Sequence, residues 1–198
     1  LAIRGLRNSA DEQAAPRLRE IALNSAADSA LRLEAGRSLG RIPSTGLDDG
    51  ARRLASVKST RGIIDRLVAA TMLAKQTSDQ SLTILSELAT DSEPAVVVAA
   101  LGSMFDQKSS LALPIAEKSI SHADSGVRSI AAKILAATPT EERLMMLAVR
   151  LDDLNSTIRV DVRKSLEALA ADEKFGTTVR EIASGSLATL PRRATFPF

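Results

Sequence analysis

The sequence predicts an all-α fold of stacked helical repeats, and three observations carry that expectation. First, a short pattern recurs: an apolar residue, Arg or an apolar stand-in, a small residue three positions on, and an apolar residue four beyond it. It reads Leu31-Arg32 with Ala35 and Leu39, Val96-Val97 with Ala100 and Met104, Val127-Arg128 with Ala131 and Leu135, and Ile158-Arg159 with Val162 and Leu166. The last three are spaced 127 − 96 = 31 and 158 − 127 = 31 residues, a period that marks stacked helical units. Second, apolar residues fall at i, i+4 and i+8 through each copy, while alternation of period two is absent, so no strand is expected. Third, 44% of the 198 residues are hydrophobic but only 2% are aromatic, leaving a core of Leu, Ile, Val and Ala that suits close helix packing.

In chain order, helices are expected near 11–24, 27–42, 47–58, 61–75, 78–90, 94–106, 110–121, 125–138, 140–151, 156–171 and 176–190. The opening Leu1-Ala2-Ile3-Arg4-Gly5-Leu6 reads as the tail of a helix already under way, and therefore as part of a larger or processed chain. Asp28 stands at the start of the second helix, where a carboxylate satisfies free amides and faces the positive end of the helix dipole. Ile42-Pro43-Ser44-Thr45-Gly46 breaks the chain, and the polar stretch 43–60 predicts an irregular connection. The second copy of the pattern is the weakest. Asp65-Arg66 with Ala69 and Leu73 puts Asp65 in the apolar place, and its spacings are 65 − 31 = 34 and 96 − 65 = 31. Asp91-Ser92-Glu93-Pro94 and His122-Ala123-Asp124-Ser125-Gly126 mark the next turns. Thr138-Pro139-Thr140-Glu141 reads as a capping box with Thr138 as the cap and Pro139 at the first helical position. Leu18-Arg19-Glu20-Ile21-Ala22 is echoed by Val179-Arg180-Glu181-Ile182-Ala183, and 180 − 19 = 161 is about five periods. Residues 1–190 are thus expected to form one array, with 191–198 as a tail or linker.

Composition removes several chemistries. The formal net charge is +2; residues 1–70 hold 12 basic and 8 acidic residues, and residues 71–198 hold 14 and 16. That mild gradient gives a nucleic-acid role no help. Cys is absent, which excludes disulfides, thiolate metal sites and Cys nucleophiles. The longest apolar run, Ala95–Leu101, is far short of a membrane span. A soluble protein without membrane insertion is expected, with the cytoplasm favoured. The single His122 has no Ser or Cys nucleophile pattern and no second metal ligand beside it, and reads as a turn residue. Asp48-Asp49, Glu141-Glu142 and Asp152-Asp153 are adjacent pairs whose positions suit capping and solvation rather than acid/base work across a cleft. The scattered glycines follow no strand and form no phosphate loop.

The run His122-Ala123-Asp124-Ser125-Gly126-Val127-Arg128-Ser129-Ile130-Ala131-Ala132-Lys133-Ile134-Leu135 resembles the HEAT repeat family, in the form seen in phycobiliprotein lyases, and Asp91 through Met104 matches with Val97 in place of Arg. The resemblance covers essentially the whole chain. It implies a right-handed α-solenoid of about five helix pairs, with the second helices lining a concave face that binds a partner protein or peptide. It also implies that Arg32, Arg66, Arg128 and Arg159 bond to an Asp or a carbonyl of a neighbouring turn and fasten the repeats.

The residues expected to meet a partner lie opposite the core stripe, at positions +2, +6 and +9 from each apolar anchor. They are Leu33, Arg37 and Gly40; Leu67, Thr71 and Ala74; Val98, Gly102 and Phe105; Ser129, Lys133 and Ala136; and Val160, Lys164 and Glu167. Arg37, Phe105, Lys133, Lys164 and Glu167 are the candidate contacts, and the row could hold an acidic, partly apolar peptide. No catalytic, cofactor or metal site is expected. The reading is a non-enzymatic protein-interaction scaffold or spacer. Two alternatives are a regulatory or substrate-holding module of a larger enzyme, lyase-like or redox, and a binder of nucleic-acid backbone. Without Trp or Tyr to stack on bases, a role in reading damaged DNA is disfavoured.

Overall fold

The computed structural model describes residues 12–42 and 45–148, with scattered single positions between 167 and 188. Every regular element among them is helical. The expected helices at 156–171 and 176–190, the pattern at Ile158-Arg159, the pair Asp152-Asp153, the opening half helix and the tail lie outside the described residues. The chain divides into two compact units, Leu1–Ala112 and Leu113–Phe198.

In the first unit, a 3-10 turn Glu12–Ala14 leads into α1, Ala15–Leu23, with Pro16 in the first turn, where its missing N–H costs nothing. Helix α2 is Ser29–Leu39, capped by Asp28, whose carboxylate accepts from the amides of Ala30 at 3.0 Å and Leu31 at 3.1 Å. Helix α3, Asp48–Ala55, opens on Asp48-Asp49 and closes on Arg52-Arg53, so both ends complement its dipole. It is a regular helix inside the stretch expected to be loosely patterned. Helix α4, Ile63–Met72, follows a 3-10 turn at Thr60–Gly62. Helix α5, Asp79–Leu88, is capped by Ser78, which accepts from the Ser81 amide at 3.0 Å. Helix α6, Pro94–Asp106, again starts on a proline.

These six helices form three successive pairs: α1 with α2, α3 with α4, and α5 with α6. The second helices also pack on one another in the order α2, α4, α6, and α3 packs on α5. The core between the layers is aliphatic, with Leu18, Leu39, Ile84, Leu88, Leu101 and Met104 fully covered. Small residues set the spacing between second helices. A Cβ on Gly40 would lie 2.1 Å from the Thr71 carbonyl oxygen, and one on Gly36 would lie 3.0 Å from Thr71 Oγ1, so α2 and α4 touch backbone to side chain there. Leu31 departs from its expected core role. It is 37% exposed, whereas Val96 and Val127 at the same place in later copies are fully buried.

The second unit holds α7, Ala112–Ser119, whose first residue closes the first unit, then α8, Ser125–Ala137, and α9, Glu141–Ala148. Asp124 caps α8 by accepting from the Val127 amide at 3.0 Å. Helix α9 packs on α8, and Arg143 Nε donates to Glu117 Oε1 at 3.0 Å, tying α9 to α7. The cap stands two residues from its expected place, and with Arg143 at the third helical position it is a single cap rather than a capping box. Thr140, not Thr138, accepts from an amide of the new helix, that of Arg143 at 3.3 Å. Thr138 ends α8 instead, and its carbonyl accepts from Arg143 Nη1 at 2.7 Å, so Pro139 lies in the connection rather than in the first turn.

Second helices begin at residues 29, 63, 94 and 125, steps of 34, 31 and 31, matching the spacing of the sequence pattern.

Candidate functional site

The arginines of the recurring pattern are tied down. Arg32 is almost fully buried; its Nε donates to the Ala22 carbonyl at 3.2 Å, and its Nη2 donates to Asp65 in α4. Arg66 is 2% exposed, and its Nη1 donates to the carbonyls of Val57 at 2.5 Å and Ser59 at 3.0 Å. Its Nε lies 2.9 Å from Asp91 Oδ2, while Asp91 Oδ1 accepts from the Glu93 amide at 2.9 Å. In the second unit Arg128 Nη1 donates to the carbonyls of His122 at 2.8 Å and Ala123 at 2.7 Å. Each guanidinium therefore closes the turn before its own helix, and Arg32 and Arg66 also reach a carboxylate in the following helix pair. A buried cation with no such partner would be strongly destabilising. These three side chains are engaged by the fold.

Side-chain ties of a second kind join the elements of the first unit. Asp48 accepts from Ser78 Oγ at 2.9 Å and from Ser81 Oγ, and Arg52 Nη1 donates to both Glu87 oxygens at 2.8 and 2.7 Å. Asp48, expected to cap, makes no cap hydrogen bond to its own helix and instead ties α3 to the start of α5. On the other layer Ser103 Oγ donates to the Ala70 carbonyl at 2.8 Å and Gln107 Nε2 to the Leu73 carbonyl at 2.7 Å. Gln76 Nε2 meets the Ile42 carbonyl at 3.4 Å. Gln76 and Gln107 are 107 − 76 = 31 residues apart, a repeat signal missed in the sequence because both fall just beyond the helices.

With those groups engaged, the described residues of the first unit include a groove of about 270 Å³ toward the C-terminal ends of α2, α4 and α6. It is lined by Arg37, Gly40, Arg41, Thr71, Ala74, Val98, Ala99, Gly102, Ser103 and Asp106. Six of these, Arg37, Gly40, Thr71, Ala74, Val98 and Gly102, belong to the row counted from the apolar anchors. The count found the face because residues at +2 and +6 lie on one side of each helix, and because the three helices pack in register. It missed Arg41, Ala99, Ser103 and Asp106. Arg41 stands four residues after Arg37, one turn further along the same side, and that spacing was the available signal.

The rim carries the charge. Arg37 projects with 60% of its side chain exposed and is 3.8 Å from Glu34. Arg41 and Asp106 are exposed, and neither has an ion pair among the described residues. The floor is made of small residues. Gly102 is unlike the glycines of α2, since a Cβ there would meet no atom within 4 Å. Nothing in the packing requires glycine at that position, although a glycine inside a helix costs roughly 0.5–1 kcal/mol relative to alanine.

The remaining candidates fall elsewhere. Phe105 is half-buried in α6 and does not line the groove. Lys133 is exposed on α8 in the second unit, and Glu167 is an exposed helical position. Lys164 and Val160 lie outside the described residues. Ser129 and Ala136, expected to face away from the core, are buried, at 3% and 7% exposure. A count from one anchor marks one stripe, whereas a helix with neighbours on several sides buries more than one. Gly40 is likewise covered, beneath Thr71 of α4 and Ala74 just beyond it. His122 is half-buried in the turn before α8, and its Nδ1 accepts from the Asp124 amide at 3.0 Å, which gives it a local role in the turn.

Among the described residues, no group of three or more His, Asp or Glu side chains could hold a metal ion, and no helix is long and apolar enough to cross a membrane. No protein-family model matches the chain, and no curated protein sequence matches it.

Proposed function

We propose that the chain is a right-handed α-solenoid of about five HEAT-type helix pairs, and that it acts as a non-enzymatic scaffold or spacer holding a partner protein or peptide against its second helices. One observation carries the reading. The three second helices of the first unit jointly open a groove, and six of its ten lining residues belong to the row of positions that the repeat pattern leaves free. Arg32 and Arg66 supply supporting evidence, since each reaches a carboxylate of the following helix pair, as a structural array requires. The groove's lining, small residues between charged rims, offers shape and charge to a ligand. It holds no His and a single carboxylate, Asp106, so it lacks the pair of groups that proton transfer across a cleft would use.

The test is capture of a partner by the immobilised chain, repeated with Gly102→Gln, which fills the groove, and with Glu20→Gln, which alters an exposed residue of α1. Loss of capture with Gly102→Gln alone supports binding in the groove. Equal capture by both variants removes the groove from the function. A partner whose capture falls steeply as salt rises, and which nuclease digestion abolishes, would identify a nucleic-acid backbone binder instead.

A further inference from the structure

We infer that the groove takes an extended acidic segment of a partner protein. A carboxylate of that segment lies between Arg37 and Arg41, and its backbone or a small side chain passes over Gly102. The inference rests on the groove being a partner-binding face and adds what chemistry it selects.

Three features point the same way. The two guanidinium groups stand four residues apart on one rim. Among the described residues Arg41 has no ion pair, and Arg37 has a loose contact with Glu34 at 3.8 Å. Free, forked donors on a rim match a carboxylate, which accepts two parallel N–H bonds from one arginine. Asp106 stands on the rim contributed by α6 and would repel a second carboxylate there, so the segment's charge is directional: acidic at the α2 edge and neutral or basic at the α6 edge. Between the rims, Gly102 is a notch that the fold itself does not need, since a Cβ would touch nothing within 4 Å. An atom-sized space kept open inside a helix, beside the unpaired charges, is accounted for by a chain that occupies it. The neighbouring Thr71 and Val98 are small enough to let a backbone approach.

The experiment selects a displayed library of random peptides on the full 198-residue chain and sequences the bound pool. The winners are then measured by fluorescence polarisation against four variants. Enrichment of Asp or Glu followed by Gly, Ala or Ser is expected. Arg37→Glu/Arg41→Glu should weaken the selected peptides at least about tenfold, the loss expected for a charged hydrogen-bonded contact. Asp106→Asn should leave binding unchanged or tighten it. Gly102→Ala should raise the melting temperature by a few degrees yet weaken binding, an opposition that a purely structural glycine would not produce. Gly102→Gln fills the notch whatever the ligand's charge, and so separates two kinds of failure. Peptides lost with Gly102→Gln but indifferent to the arginine reversal overturn the acidic assignment while leaving the groove as a binding face. Selected peptides that bind Gly102→Gln normally overturn both, and a library that yields no enriched peptide overturns the acidic assignment.

Discussion

Arg66 illustrates how a charge can be a structural element. It is among the largest fully buried side chains; its Nη1 donates to two carbonyls of the turn behind it, and its Nε stands 2.9 Å from the Asp91 carboxylate ahead as an ion pair rather than an aligned hydrogen bond. Removing one member of such a buried pair leaves the other stranded, so Arg66→Met should cost about 3–5 kcal/mol in urea denaturation. The double change Arg66→Met/Asp91→Leu should recover a substantial part of that loss. A double variant as unstable as the sum of its singles would show that the two groups are not coupled. Gly40 makes the opposite demand, for the absence of atoms. Gly40→Ala would push a methyl group to 2.1 Å from a backbone oxygen that cannot step aside, and should destabilise by about 1–3 kcal/mol or more. The arginines were legible in the sequence as fastenings because they keep a constant place beside the core. Asp65 was legible only as a flaw in the pattern; its role as the acceptor for Arg32 depends on a contact 65 − 32 = 33 residues away, which local spacing does not encode.

At the scale of elements, helix starts were readable at Asp28 and Asp124, where a carboxylate caps, and ambiguous where two threonines compete. The choice between Thr138 and Thr140 was settled by Arg143, which claims the Thr138 carbonyl and so holds that residue at the end of α8. Thr140→Ala should therefore cost about 1 kcal/mol, and Thr138→Ala distinctly less, in thermal unfolding. The end of α6 carries another local choice. Lys108 has φ 56°, the left-handed conformation usual for glycine, while the Ser109 amide donates to the Met104 carbonyl at 3.0 Å and the Lys108 amide to the Phe105 carbonyl at 2.9 Å. This is the double hydrogen bond that closes many helices, made here with a residue that is strained in it. Lys108→Gly should relieve the strain and raise stability by about 0.5–1 kcal/mol. An unchanged or lower melting temperature would mean that the lysine side chain offsets its own backbone cost.

At the scale of the molecule, α4 is the most connected element of the first unit, touching α2, α3, α5 and α6. Its amides should be the slowest to exchange with deuterium, with α1, which packs chiefly on α2, opening earlier. Faster exchange in α4 than in α1 would contradict that order. The all-α class was legible because apolar residues recur at helical spacing and no segment alternates with period two. The groove was half legible: its floor followed from helix phase, but its width follows from how closely α2 and α4 approach, which Gly36 and Gly40 set through contacts with a helix about 30 residues on.

The two arginine–aspartate rungs also carry information about order. Arg32 finds its acid inside the first turn of α4, whereas Arg66 finds its acid in the turn before α6. Excising residues 65–95, one full period, would set Val96 opposite Arg32 and strand a buried cation. The helix pairs are therefore addressed to particular neighbours, like keyed parts rather than interchangeable bricks. A chain of this kind cannot be shortened or shuffled by whole repeats without rewriting the residues at each new junction.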